Sequence, residues 1–192
     1  MRLAILGGSF NPLHIGHLAL ADAVYATENY DKIAFIPAFL SPFKKEHSGC
    51  TAKDRLQMLK TAIQDVPYFS YEDCEIKKEG ISYTIDTILY LKEKYKSSLE
   101  GKIGLIIGED MIKDFPLWHR YKELKESVDI LVGFRPLSEK KTAAEFSYTQ
   151  IENAVLPISS SYIREAIKKK KSWRYLVPAT VYEYIIAKNL YD

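Results

Sequence analysis

The chain has 192 residues, 47% of them hydrophobic and 27% charged, which is enough to bury one globular core and too little for a second full domain. Lysine and arginine number 27 against 25 acidic residues, a formal charge of +2 with the cations dispersed. That balance gives no argument for a nucleic-acid surface or a membrane patch and leaves room for small anionic substrates. Cys50 and Cys74 share no C-x-x-C spacing and suggest neither a zinc ribbon nor a disulfide framework, so both read as inert thiols. No cationic segment followed by an apolar run opens the sequence, and no apolar stretch reaches the roughly 18 residues of a membrane span. A cytoplasmic protein is expected.

In chain order, RLAIL, GHLALADAVYATEN and KIAFIPA read as strand, helix and strand, a βαβ unit. TAKDRLQMLKTAIQDV follows as a helix capped by Thr51 with Asp54 in its first turn, its apolar positions being Leu56, Leu59 and Ile63. YFSYEDCEI, over 68–76, reads as a strand. YTIDTILYLKEKY predicts a helix that turns Ile85, Ile88, Leu89 and Leu91 to a core. KIGLIIG and VDILVGF are apolar enough for strands covered on both faces, with a short helix over LWHRYKELKES between them. Residues 137–148, LSEKKTAAEFSY, read as a surface loop, and SYIREAIKKKK and ATVYEYIIAKNLY as closing helices. The run Lys168–Lys171 is expected to be a solvated helix end. The alternation predicts an α/β fold: one domain over 1–192, Rossmann-like and doubly wound, with a mostly parallel sheet, helices on both faces and a helical C-terminal end.

The loop GGSFNPLHIGH, over 7–17, joins the first strand to the first helix. Loops at the carboxyl ends of strands are where open α/β sheets bind ligands. Gly7 and Gly8 permit positive φ and close backbone approach, Pro12 stiffens the turn, and the helix starting near Gly16 offers unpaired N–H groups. The stretch lacks G-x-G-x-x-G and is followed by no G-K-[ST], so it is neither a dinucleotide fingerprint nor a P-loop. His14 and His17 admit a metal reading, but no cysteine or H-E-x-x-H accompanies them. They also admit a structural reading, one capping the helix and the other packing. The phosphate reading gives them hydrogen bonds to donate and, when protonated, charge to neutralise.

GGSFNPLHIGH resembles the H-x-G-H motif of the nucleotidyltransferase superfamily related to class I aminoacyl-tRNA synthetases, and ISSSYIR, over 158–164, resembles its second signature. SYTIDT, LIIGED, PLWHRYKEL and LVPATVYEYIIAKNLY are similar to stretches of the bacterial nicotinate-nucleotide adenylyltransferase family, so the resemblance spans essentially the whole chain. It implies transfer of AMP from ATP to nicotinate mononucleotide, giving deamido-NAD and pyrophosphate in NAD biosynthesis, with Mg2+ bound mainly through the ATP phosphates and no metal-binding residues of its own.

By the same resemblance His14, His17 and Arg164 are catalytic, and Gly7, Gly8, Ser9, Phe10, Gly16, His17, Gly108, Ser159, Ser160 and Arg164 bind ATP. Lys44, Thr84, Asp110, Trp118, His119 and Arg135 fall to the acceptor: Trp118 stacks on the pyridine ring, the His119 backbone and Thr84 meet its carboxylate, and Asp110 takes a ribose hydroxyl. Each has a plainer alternative, with Trp118 a core anchor, Thr84 a helix cap, Asp110 an acid at a helix start and Ser159–Ser161 ordinary caps. The chain departs from the family pattern at Asn11, Phe43, Lys78, Glu109 and His119, and Glu109 is expected to face solvent rather than to form with Asp110 a paired acid that attracts Mg2+. Rival functions are a related transfer to nicotinamide mononucleotide or another small phosphate, and a non-catalytic nucleotide-sensing module. No nucleic-acid or membrane partner is expected, and a homo-oligomer is left open.

Overall fold

The computed structural model describes residues 1–42, 49–134, 145–152 and 156–192. Six strands form one sheet in the order β3-β2-β1-β4-β5-β6, namely β1 (Leu3–Gly8), β2 (Lys32–Pro37), β3 (Phe69–Tyr71), β4 (Ile103–Gly108), β5 (Val128–Gly133) and β6 (Thr149–Ile151). Every pairing is parallel. The order reverses between β1 and β4, which makes the carboxyl ends of these two strands the topological switch point.

Parallel strands buried on both faces must be apolar at odd and even positions alike, and they are. Leu3, Ile5, Leu105, Ile130 and Val132 turn to one face, where α4 (Thr84–Lys94) and α5 (Tyr121–Ser127) pack through Ile85, Ile88, Leu91 and Leu124. Ala4, Leu6, Ile33, Phe35, Ile106 and Leu131 turn to the other, against α1 (Ile15–Thr27) and α2 (Ala52–Ile63) through Ala21, Val24, Leu59 and Ile63. A third cluster joins Met58 of α2 to α6 (Ser160–Lys168), α7 (Ala179–Lys188) and Tyr191. Its location brings the C-terminal end of the chain against the site-bearing half of the sheet.

Four local expectations change. The 68–76 strand is only Phe69–Tyr71, because the chain turns after Glu72 into a short helix, α3 (Cys74–Lys78). The helix expected over 117–127 starts at Tyr121, since Phe115–Leu117 forms a 3-10 turn and Arg120 adopts φ 53°. On α4 Leu89 is exposed and Thr87 takes its place inside. The expected surface loop over 137–148 lies partly outside the described residues, but Phe146 and Tyr148 pack against the core and lead into β6, a strand whose three residues carry little periodicity. Lys168–Lys171 are exposed at the end of α6 as expected. Burial raises the pKa of both thiols, that of Cys74 to about 11, which keeps them protonated. Among the described residues no helix is long and apolar enough to cross a membrane.

Candidate active site

The carboxyl ends of β1, β4 and β5 open into a cavity of about 820 Å³. Its first wall is the loop from Ser9 to His14. Gly7 and Gly8 still belong to β1 and do not take positive φ; that conformation falls on Phe10, at 46°. Gly8 is needed for a different reason, because a Cβ there would stand 3.1 Å from the Phe10 ring. Likewise a Cβ at Gly16 would stand 3.1 Å from His14 Nδ1, so the glycine makes room for the imidazole at the start of α1.

His14 is the N-cap of α1, and its ring stacks on that of His17 with centroids 3.6 Å apart. The backbone N–H of His14 donates to His17 Nδ1 at 3.2 Å, which assigns the proton of a neutral His17 to Nε2. His14 is 7% exposed, and desolvation lowers its pKa from 6.5 to about 4, so it is neutral at neutral pH. His14 Nδ1 and Ser9 Oγ are buried polar atoms with no hydrogen-bond partner among the described residues, and both residues line the cavity. Among the described residues no cluster of three or more His, Cys, Asp or Glu could hold a metal ion.

The loop is held from behind. Arg164 Nη1 of α6 donates to Asn11 O at 2.7 Å, and its Nη2 donates to Ser161 Oγ at 3.1 Å. Ser160 Oγ donates to Pro12 O at 2.9 Å, and Ser159 caps α6 by accepting from Tyr162 N at 3.1 Å. Capping and cavity lining therefore coexist at this helix start. Tyr191 OH bonds Asn11 Oδ1 at 2.5 Å, and the buried Arg55 donates from Nη1 to Ser9 O at 2.6 Å. Neither Tyr191 nor Arg55 was legible as a site residue. For Arg55 the available signal was a cation on the same helical stripe as Met58, Leu59 and Ile63, where only apolar residues are expected.

The opposite wall carries the remaining candidates. Thr84 is the first residue of α4, whose N-cap is Tyr83 rather than Thr84, and the His119 ring lies tilted against that of Tyr83 with centroids 4.3 Å apart. Trp118 fits both of its readings, since it packs edge-on to the core residue Phe115 at 5.1 Å and also lines the cavity. Its indole Nε1 is buried without a partner among the described residues. Asp110 stands exposed in the 3-10 turn after Gly108, and Glu109, expected to face solvent, is half-buried and lines the cavity. Glu75, Ser82 and Thr87 join this wall unforeseen. Glu75 accepts from Thr87 Oγ1 at 2.5 Å, and desolvation raises its pKa.

All fifteen sequence-predicted site residues that are described line this one cavity; Lys44 and Arg135 lie outside the described residues. The sequence model of the cytidylyltransferase-like family matches residues 5–166. Together with a doubly wound sheet and a glycine-lined loop at its switch point, that match defines a nucleotidyltransferase. A protein of Treponema pallidum (strain Nichols), described as a probable nicotinate-nucleotide adenylyltransferase, is 47% identical over 202 residues, covering 100% of this chain and 99% of its own. One of the same description from Borreliella afzelii is 40% identical over 191 residues, covering 100% and 97%. The chain belongs to the nicotinate-nucleotide adenylyltransferase family. Its fold is that of the Plasmodium falciparum nicotinic acid mononucleotide adenylyltransferase complexed with NaAD, with a TM-score of 0.81 at 21% identity over 100% of this chain and 97% of that one.

Proposed function

We propose that this chain transfers the adenylyl group of ATP to nicotinate mononucleotide, forming deamido-NAD and pyrophosphate in NAD biosynthesis. The observation that carries the reading is that the residues assigned to donor and acceptor converge on one cavity at the switch point of the sheet. An acceptor phosphate oxygen attacks the α-phosphorus of ATP in line, and the bond from that phosphorus to the bridging oxygen breaks, releasing pyrophosphate. No covalent nucleophile is needed; the site must hold two mutually repelling anions in line and offset the charge that develops.

His17 supplies Nε2–H as a donor, its tautomer set by the His14 backbone. His14 offers the unpartnered Nδ1 edge of a neutral ring, and Arg164 a permanent cation whose fork is already oriented by Asn11 and Ser161. Gly7, Gly8, Ser9, Phe10, Gly16, Gly108, Ser159 and Ser160 shape the ATP side, and Thr84, Asp110, Trp118 and His119 the acceptor side. Mg2+ fits as an ion carried by the ATP phosphates and waters, with few protein ligands, which is its usual manner of binding. It would neutralise phosphate charge.

Steady-state rates with nicotinate and nicotinamide mononucleotide as alternative acceptors test the assignment. A higher kcat/KM for the nicotinate compound is expected; equal or reversed preference overturns it in favour of a related transfer on the same scaffold.

A further inference from the structure

We propose that Arg55 is a positioning residue that sets the spacing between the loop holding the donor nucleotide and the wall holding the acceptor. The inference rests on the adenylyl-transfer reading above and adds to it a residue that belongs to neither subsite.

Arg55 is 1% exposed, among the most buried large side chains of the protein. No carboxylate pairs with it among the described residues; its partners are two backbone carbonyls, Ser9 O at 2.6 Å and Phe39 O at 3.0 Å. A buried cation held this way destabilises the fold unless its hydrogen bonds replace something the backbone lacks. What it replaces can be read from the sheet. β1 and β2 pair in register up to Gly8 and Pro37, and the last rung is Ala38 N to Gly8 O at 2.9 Å. Among the described residues no β1–β2 rung follows it, and Ser9 O and Phe39 O accept from the guanidinium instead. The guanidinium spans the gap with two fixed donors, a task its planar fork suits and a lysine ammonium does not.

The bridge continues into the acceptor wall. Phe39 N donates to Ser82 Oγ at 3.2 Å, and Ser82 N donates to Leu40 O at 2.9 Å. Ser82 immediately precedes Tyr83 and Thr84 at the start of α4. A single line of hydrogen bonds thus runs from Ser9 in the donor loop through Arg55 and Phe39 to Ser82 on the acceptor side. In-line transfer requires the attacking oxygen and the α-phosphorus at a set separation, and a displacement of about 1 Å costs about a hundredfold in rate. A residue that fixes the distance between two half-sites acts on turnover and leaves each half-site able to bind.

The test compares Arg55→Lys with the wild-type chain in steady-state kinetics and in separate titrations of ATP and nicotinate mononucleotide. Arg55→Lys keeps the charge and loses the two-point bridge; kcat is expected to fall between about tenfold and about a hundredfold while each dissociation constant stays within about threefold. Ser82→Ala cuts the same line at its far end and carries the test should Arg55→Lys lack the wild-type thermal transition; the same split between kcat and affinity is expected. Unchanged kcat in the folded variant, or a loss of kcat matched by equal losses in both affinities, overturns the proposal. A wild-type chain that prefers a different acceptor refutes the nicotinate assignment alone, and the Arg55 comparison is then made with that acceptor. A wild-type chain that transfers to no acceptor refutes both.

Discussion

The two walls of the cavity are built in opposite ways. The donor wall is a loop whose carbonyls are tied from behind by Arg55, Ser160 and Arg164, with Tyr191 OH on the Asn11 side chain, three of these four ties coming from the last 33 residues of the chain. The acceptor wall is a pair of 3-10 turns and an αL residue, Arg120, held outside by exposed ion pairs to Asp86 and Glu123. The contrast suits the tasks proposed for them. A triphosphate is gripped through backbone geometry that must not move as charge develops, whereas a ring is recognised by side-chain faces that need only the right shape.

If the donor wall works by oriented donors, removing one should act on turnover. His17→Ala is expected to lower kcat by about 10² to 10³, roughly 3 to 4 kcal/mol, with a smaller change in the KM for ATP. Unchanged kcat in a steady-state assay would dismiss His17 from the chemistry.

The burial of His14 makes the same wall sensitive to acid. Its pKa is about 4 in the folded chain against 6.5 for a solvated imidazole, so the unfolded chain binds the proton first. Stability from this group is complete above pH 6.5 and is lost as pH falls through the folded value of about 4, by roughly 3 kcal/mol in all. Urea unfolding between these pH values should show a shallower decline for His14→Asn than for wild type, and parallel declines would refute the assignment.

Tyr191→Phe leaves the buried Asn11 Oδ1 without its donor and should lower stability by about 1 to 2 kcal/mol. Denaturant midpoints check this, and a change under about 0.5 kcal/mol would mean the C-terminal tie is idle. On the other wall, Trp118→Ala should raise the KM for nicotinate mononucleotide by about tenfold with kcat near wild type. An unaffected KM would return Trp118 to its role beside Phe115. Smallest of all, Asp86→Asn removes an exposed partner of Arg120 and Lys78, and should change that KM less than about threefold, the difference vanishing at high salt. A salt-independent effect would mean that Asp86 acts by another route.

The same contrast explains what could be read in advance. Long apolar runs and 3.6-residue periodicity made β1, β2, β4, β5 and the main helices legible, and β3 was read as part of a longer strand. The three-residue β6 and the five-residue α3 were not legible, because segments so short are stabilised by neighbours rather than by their own pattern. Leu56 and Leu89 follow the periodicity, yet Arg55 and Thr87 are the buried residues, since a hydrogen-bonded polar group can occupy a position that pattern reserves for carbon.

By itself the sequence determined the alternation of strands and helices, because that depends on local spacing and residue type, and its resemblance to a known family joined the loop between β1 and α1 to ISSSYIR. Only the tertiary structure decided that His14 is neutral, that Phe10 and not a glycine carries the positive φ, and that Arg55 and Tyr191 brace the donor loop. Burial and hydrogen bonding between residues 46 and 180 positions apart leave no trace in a window of neighbouring residues, since the groups that set each property meet only when the sheet and its C-terminal helices have come together.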